Sequence, residues 1–170
     1  MRVLLLAAIT IDGKIARGPH EAVDWSSRED KRMFMRVSQE SGVLIMGRST
    51  YETLEQPLPK RLHVVMTHDP ALLASKPSEQ VEFTSDTPAE IVAKLGARGY
   101  ETAILAGGAA TYGSFIAAGM VDELWLTLEP LAFGGGISLL GDGALNLRLR
   151  LLHHELLNEN SLHLRYAVQR

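Results

Sequence analysis

Four short, largely apolar runs, at residues 3–8, 43–46, 62–67 and 102–106, most constrain what this chain can fold into. A strand with one wet face alternates polar and apolar side chains, so a nearly unbroken run of this length marks a strand covered on both faces. Stretches of helical spacing lie between the runs. Ser26 with Glu29 three residues on is a capping-box signature, and Met33, Phe34 and Val37 carry an apolar face to about Ser41. A short helical stretch at 49–54 precedes Pro57-Leu58-Pro59, Pro88 opens a helix to about Ala97, and Gly107-Gly108 opens another to about Ala118. A strand at 123–128 and a hairpin of 151–159 with 162–169 close the chain, and residues 133–143, with five glycines, read as one long loop. Strand and helix alternation predicts an α/β domain over residues 1–170, with a mostly parallel central sheet flanked by helices and a C-terminal antiparallel hairpin.

With 170 residues, 46% of them hydrophobic, the chain buries one core and is too short for two ordinary domains. A net charge of -3 with scattered Lys and Arg gives no basic stripe, which excludes nucleic acid as the expected partner. The absence of cysteine removes disulfides, thiolate metal sites and Cys nucleophiles, and fits a cytoplasmic protein. The apolar start lacks the charge pattern and cleavage site of a signal peptide, and no stretch approaches the roughly 18 apolar residues that span a bilayer, so no membrane partner is expected. His153 and His154 are neighbours on a predicted strand and face opposite sides, so no shared metal site is expected. Ser114 and Ser138 lack a nucleophile elbow, which argues against a hydrolase.

Asp30 stands three, four and seven residues before Met33, Phe34 and Val37, which puts its carboxylate on the apolar face of the first helix. A carboxylate aimed into a core or cleft has its pKa raised by desolvation and can serve as a proton source; the alternative is a helix-dipole partner in the first turn. Met46-Gly47-Arg48-Ser49-Thr50 and Ala106-Gly107-Gly108-Ala109-Ala110 each follow an apolar strand and open a helix. Free N–H groups at a helix start favour an anion and glycine permits close approach, so the pair suits the phosphates of a dinucleotide, with tight strand-to-helix packing as the alternative. Neither turn is a GxGxxG or GxxxxGK[ST] fingerprint.

Taken in order, these motifs resemble the dihydrofolate reductase superfamily over nearly the whole chain. Trp25 with Asp30 five residues on resembles that family's Trp and active-site acid, followed by Phe34 where an aromatic packs on substrate. Met46-Gly47-Arg48-Ser49-Thr50-Tyr51-Glu52 is similar to its cofactor-phosphate motif, Pro57-Leu58-Pro59-Lys60-Arg61 to the next turn, and Leu124-Trp125-Leu126-Thr127 to the strand whose threonine meets the acid. Within the superfamily, Thr10-Ile11-Asp12-Gly13-Lys14-Ile15-Ala16, residues 118–124 and Gly134-Gly135-Gly136 resemble the reductase domain of bifunctional riboflavin-biosynthesis deaminase-reductases. Val23-Asp24 and Lys31 depart from the folate pattern.

The resemblance implies an NADPH-dependent reductase transferring a hydride to a pyrimidine or pteridine. It implies Asp30 and Thr127 as catalytic residues and Trp25, Phe34, Leu54 and Arg61 at the substrate. The cofactor would lie on Ala8, Ile15, Gly47, Arg48, Ser49, Thr50, Thr67, His68, Gly107, Gly108, Ala109, Ala110 and Tyr112, in a positive neighbourhood. Dihydrofolate reductase proper and a non-catalytic NADP-binding protein remain alternatives. Exposed apolar residues on the closing hairpin would be compatible with a homodimer.

Overall fold

The computed structural model describes residues 1–141 and 146–169. In chain order the elements are β1 Arg2–Thr10, β2 Lys14–Ala16, α1 Arg28–Ser41, β3 Val43–Gly47, α2 Arg48–Tyr51, β4 Leu62–Met66, α3 Pro70–Leu73 and β5 Val81–Thr84; then α4 Pro88–Ala97, β6 Thr102–Leu105, α5 Ala109–Ala117, β7 Glu123–Glu129, β8 Ile137–Ser138, β9 Arg148–Leu156 and β10 Leu162–Gln169. The main sheet runs β5-β4-β3-β6-β1-β7-β10-β9. Its neighbours are parallel from β5 to β7, and β10 and β9 add to it antiparallel.

The apolar runs are unbroken because alternate residues serve two different layers. Val3 and Leu5 of β1 face Tyr112, Phe115 and Ile116 of α5, within a layer that also takes Ile91 and Leu95 of α4. Leu4 and Leu6 face the opposite side, packed with Met33 and Val37 of α1. Phe115, Leu5, Leu44, Ile45, Ile104 and Leu105 are fully buried, and each such side chain contributes about 1.5–3 kcal/mol relative to exposure.

Helix α1 starts one residue later than its sequence signature implies. Ser27, not Ser26, is the N-cap, its Oγ accepting from the Asp30 N–H at 3.2 Å, and Gly42 closes the helix in the left-handed region. The shift follows from Glu129, whose carboxylate accepts the Ser27 N–H at 2.8 Å and fixes the entry of the chain. Helix α4 begins as read, with Pro88 in its first turn and a capping box between Thr87 and Glu90.

Four short elements escape the sequence reading: β2, β8, α3 and β5. Within the 133–143 stretch, β8 pairs with β2 in a separate two-stranded sheet; residues 142 and 143 of that loop lie outside the described residues. Gly136 has φ +113, and a Cβ there would stand 2.3 Å from the Ala16 carbonyl oxygen, so only glycine lets the loop cross β2. The first strand of the closing hairpin lies three residues earlier than expected, ending at Leu156, where Asn158 Oδ1 accepts the N–H groups of Asn160 and Ser161, both at 2.8 Å, and turns the chain. Among the described residues, no helix is long and apolar enough to cross a membrane.

Candidate active site

Where β1, β3, β4 and β6 end, a cavity of about 1320 Å³ opens along the edge formed by their last residues. Carboxyl ends of parallel strands are the usual ligand position in open α/β sheets, and this volume exceeds what a drug-sized ligand needs. Ala8 and Ile15 line its middle, and Thr67 and His68 line the end beyond β4. Asp30, Phe34 and Leu54 form the wall carried by α1 and the segment after α2. Leu58 joins them, held by its N–H donating to His63 Nε2 at 3.1 Å while His63 Nδ1 donates to the Gln80 carbonyl at 3.0 Å.

The two glycine turns meet here. Gly47, Arg48, Ser49 and Thr50 lie on the wall together with Gly107, Gly108, Ala109, Ala110 and Tyr112. The Gly47 N–H donates to the Gly107 carbonyl at 2.8 Å, and the Gly107–Gly108 peptide is cis. A Cβ on Gly47 would stand 2.8 Å from Thr111 Oγ1 and 3.8 Å from the Gly108 nitrogen, while Gly107 has φ +124. Gly47 is thus favoured by the close approach of the Thr111 side chain, and Gly107 by its positive φ. Gly108 caps α5 with no side-chain acceptor, so that first-turn N–H groups remain for an anion. Helix α2 has only four residues and contributes side chains, not a dipole.

The positive neighbourhood expected around Arg48 is corrected by the structure. Its Nε donates to Glu52 at 2.5 Å and its Nη1 to Asp69 at 2.6 Å, so two carboxylates already balance the guanidinium. Asp86, also on the wall, is paired with Lys94 at 2.5 Å.

Asp30 is only 7% exposed. Burial raises its pKa, opposed by the Thr127 hydroxyl and the nearby Ser26 hydroxyl; the Glu129 charge pushes it further up and Lys31 pulls it down. Ser26 Oγ is itself buried, with no hydrogen bond formed to any group. Tyr112, whose hydroxyl donates to the Leu6 carbonyl at 3.0 Å, is raised by burial and then by the Asp30 charge, which places the two acids near each other.

Three expected site residues do not line the cavity. Thr127 is fully buried behind Asp30 and acts on it from the sheet. Trp25 turns away to meet Phe133 edge-on at 5.2 Å, leaving its Nε1 buried without a partner. Arg61 is 4% exposed and directed under α1, donating to the carbonyls of Pro59 and Met35 and to the Ser38 hydroxyl. It ties the Pro57-Leu58-Pro59 turn to the helix and offers nothing to the cavity.

The sequence reading passed over Glu129 and His163. Glu129, 2% exposed, accepts from the Ser161 hydroxyl at 2.5 Å as well as from Ser27. It lies two residues after Thr127 and so on the same face of β7, a signal that strand periodicity carries.

The description "RibD C-terminal domain" belongs to the family profile that matches residues 2–162. Dihydrofolate reductase type 9 of Escherichia coli is 32% identical over 133 residues, covering 75% of this chain and 70% of that one. Among solved structures, Acinetobacter baumannii RibD superposes with a TM-score of 0.81 at 18% identity, over 99% of this chain and 58% of that one. The Enterococcus faecalis dihydrofolate reductase complexed with NADP(H) gives 0.74 at 21% identity, over 99% and 97%.

Proposed function

Since the chain belongs to the RibD C-terminal domain family and its relatives include a dihydrofolate reductase, we propose that it is a cytoplasmic NADPH-dependent reductase of a pyrimidine or pteridine substrate, resembling 5-amino-6-(5-phosphoribosylamino)uracil reductase. The observation that carries this reading is the buried Asp30 carboxyl on the wall of the same cavity in which the two glycine turns meet. NADP(H) in the Enterococcus faecalis enzyme supports the choice of cofactor.

The residues present fit such a group. The backbone of Gly107, Gly108 and α5, with Ser49 and Thr50, offers hydrogen-bond donors for phosphates, and Ala8 and Ile15 leave an apolar place for a ring. Thr67 and His68 would take the adenosine end, with Arg48 exchanging a carboxylate partner for a phosphate. NADPH, when bound, supplies the hydride.

Asp30 would hold the polar edge of an aminopyrimidine and deliver the proton to the accepting nitrogen or ribose oxygen. Its burial keeps that proton available nearer neutrality than an ordinary carboxyl would. Phe34, Leu54 and Leu58 would pack on the ring and exclude water. A dihydrofolate substrate is less well supported, because Arg61, the residue expected to grip a glutamate tail, is sealed beneath α1.

The test follows NADPH oxidation by absorbance with the phosphoribosylaminopyrimidine and with dihydrofolate, in wild type and Asp30→Asn. Turnover of the former should fall about 100-fold or more in the variant while NADPH affinity is kept. A chain that binds no NADPH refutes the reading, and turnover untouched by Asp30→Asn removes Asp30 from it.

A further inference from the structure

Behind Asp30 the sheet carries a line of polar groups that never reaches the cavity. Strand β10 pairs with β7 so that His163 lies directly opposite Thr127. Both are fully buried, and His163 Nδ1 stands 3.5 Å from Thr127 Oγ1. On the far side, Arg165 Nε donates to His163 Nε2 at 3.2 Å, while the Arg165 guanidinium lies 3.9 Å over the Trp125 ring and near Glu155.

An arginine has no acceptor, so its N–H can only donate, and His163 Nε2 must therefore be the bare nitrogen. That leaves the imidazole proton on Nδ1, 3.5 Å from the Thr127 oxygen, with the Leu126 carbonyl as the other acceptor in reach. A hydroxyl has one proton; once its oxygen accepts from His163, that proton is free to turn toward Asp30. The opposite tautomer would make Nδ1 an acceptor and draw the Thr127 proton away from the carboxylate.

We propose that His163 is a positioning residue that aims the Thr127 hydroxyl at Asp30 and thereby sets the pH range in which Asp30 holds its proton. Arg165 fixes the tautomer from the other side. The remaining groups facing Asp30 are Ser26 from the loop before α1, Glu129 from β7, Tyr112 from α5 and Lys31 from its own helix, whose Nζ donates to the Asp24 carbonyl at 2.8 Å. Burial pushes His163 down to about 4, so near neutrality it is uncharged and its replacement there removes no charge beside Asp30.

The consequence for catalysis rests on the reductase reading, but the test does not. The Asp30 carboxyl is titrated by carbon NMR in wild type, Thr127→Val, His163→Phe and His163→Asn, with Asp30→Asn assigning the signal. A hydroxyl hydrogen bond favours the anion, so its loss raises the midpoint. His163→Phe should move it up by about one pH unit, as Thr127→Val does, and His163→Asn, which keeps a donor near the Nδ1 position, should return it toward wild type. A His163→Phe midpoint equal to wild type, beside a shifted Thr127→Val, overturns the proposal. Should His163→Phe not fold, the nitrogen shifts of His163 in wild type decide: a proton on Nδ1 supports it, and a proton on Nε2 overturns it. A shifted Asp30 in a chain that reduces nothing would sink the reductase reading and leave this one standing.

Discussion

Replacing Asp30 by Asn should make the protein more stable above neutrality while disabling it. In the unfolded chain this carboxyl titrates at about 3.9. In the folded protein burial raises it, and Glu129 adds to the rise. Between the two midpoints the folded state keeps a proton that the unfolded chain has lost, so stability falls as pH rises and levels off above the folded midpoint. One proton is involved, which limits the slope to about 1.4 kcal/mol per pH unit. Asn carries no such proton, and its amide can still accept from Thr127 and donate toward Ser26. The stability difference between Asp30→Asn and wild type should therefore be flat below about pH 4, climb in favour of the variant through the Asp30 window, and plateau. Urea denaturation at four pH values between 4 and 9 measures it, with equal m-values as the check on two-state comparison. Titrating groups that do not interact with Asp30 cancel in the difference. A pH-independent difference, or a variant less stable than wild type at the alkaline end, refutes the reasoning. In the same series, Glu129→Gln keeps an acceptor for Ser27 and should move the window to lower pH.

Gly47→Ala should weaken NADPH binding about tenfold or more, because its methyl meets Thr111 Oγ1 at 2.8 Å and forces the two turns apart. Adding Thr111→Ala should recover part of the loss in a fluorescence titration, and wild-type affinity in Gly47→Ala alone would show that the turns need not touch. The edge strand β9 is exposed along all nine residues, with Leu149 and Leu151 paired to Val168 and Tyr166 and so prolonging their apolar row past the core. We propose that this edge joins two copies of the chain. Wild type should sediment as a dimer and Leu151→Glu as a monomer; a monomeric wild type at tens of micromolar ends the proposal.

The sheet was legible because its strands are buried on both sides, and burial on both sides writes itself as an unbroken run. Strand β5 was not, since Val81, Glu82, Phe83 and Thr84 alternate at an edge over only four residues. Asp30 was legible for the same reason as the core: helix periodicity ties it to Met33 and Val37, both buried beside it on α1. Trp25 and Arg61 show where that logic stops. Each stands outside a regular element, so spacing fixes its place along the chain but not the direction of its side chain. Trp25 leaves the cavity for Phe133, and Arg61 folds under α1.

What lay beyond reach was the support behind Asp30, because it depends on which residue of β10 faces which residue of β7. A slip of one residue would turn His163 to the other face and put Leu162 or Leu164 against Thr127. The register is pinned near the hairpin turn, where Ser161 donates to Glu129 and Leu162 pairs with Leu128. Glu129 also holds Ser27, and Ser27 caps the helix that carries Asp30. One buried carboxylate therefore fixes both the acid and the pairing of the two strands from which Thr127 and His163 act on it. Glu129→Leu, unlike Glu129→Gln, removes both contacts together and should cost the site its geometry before it costs the sheet its core.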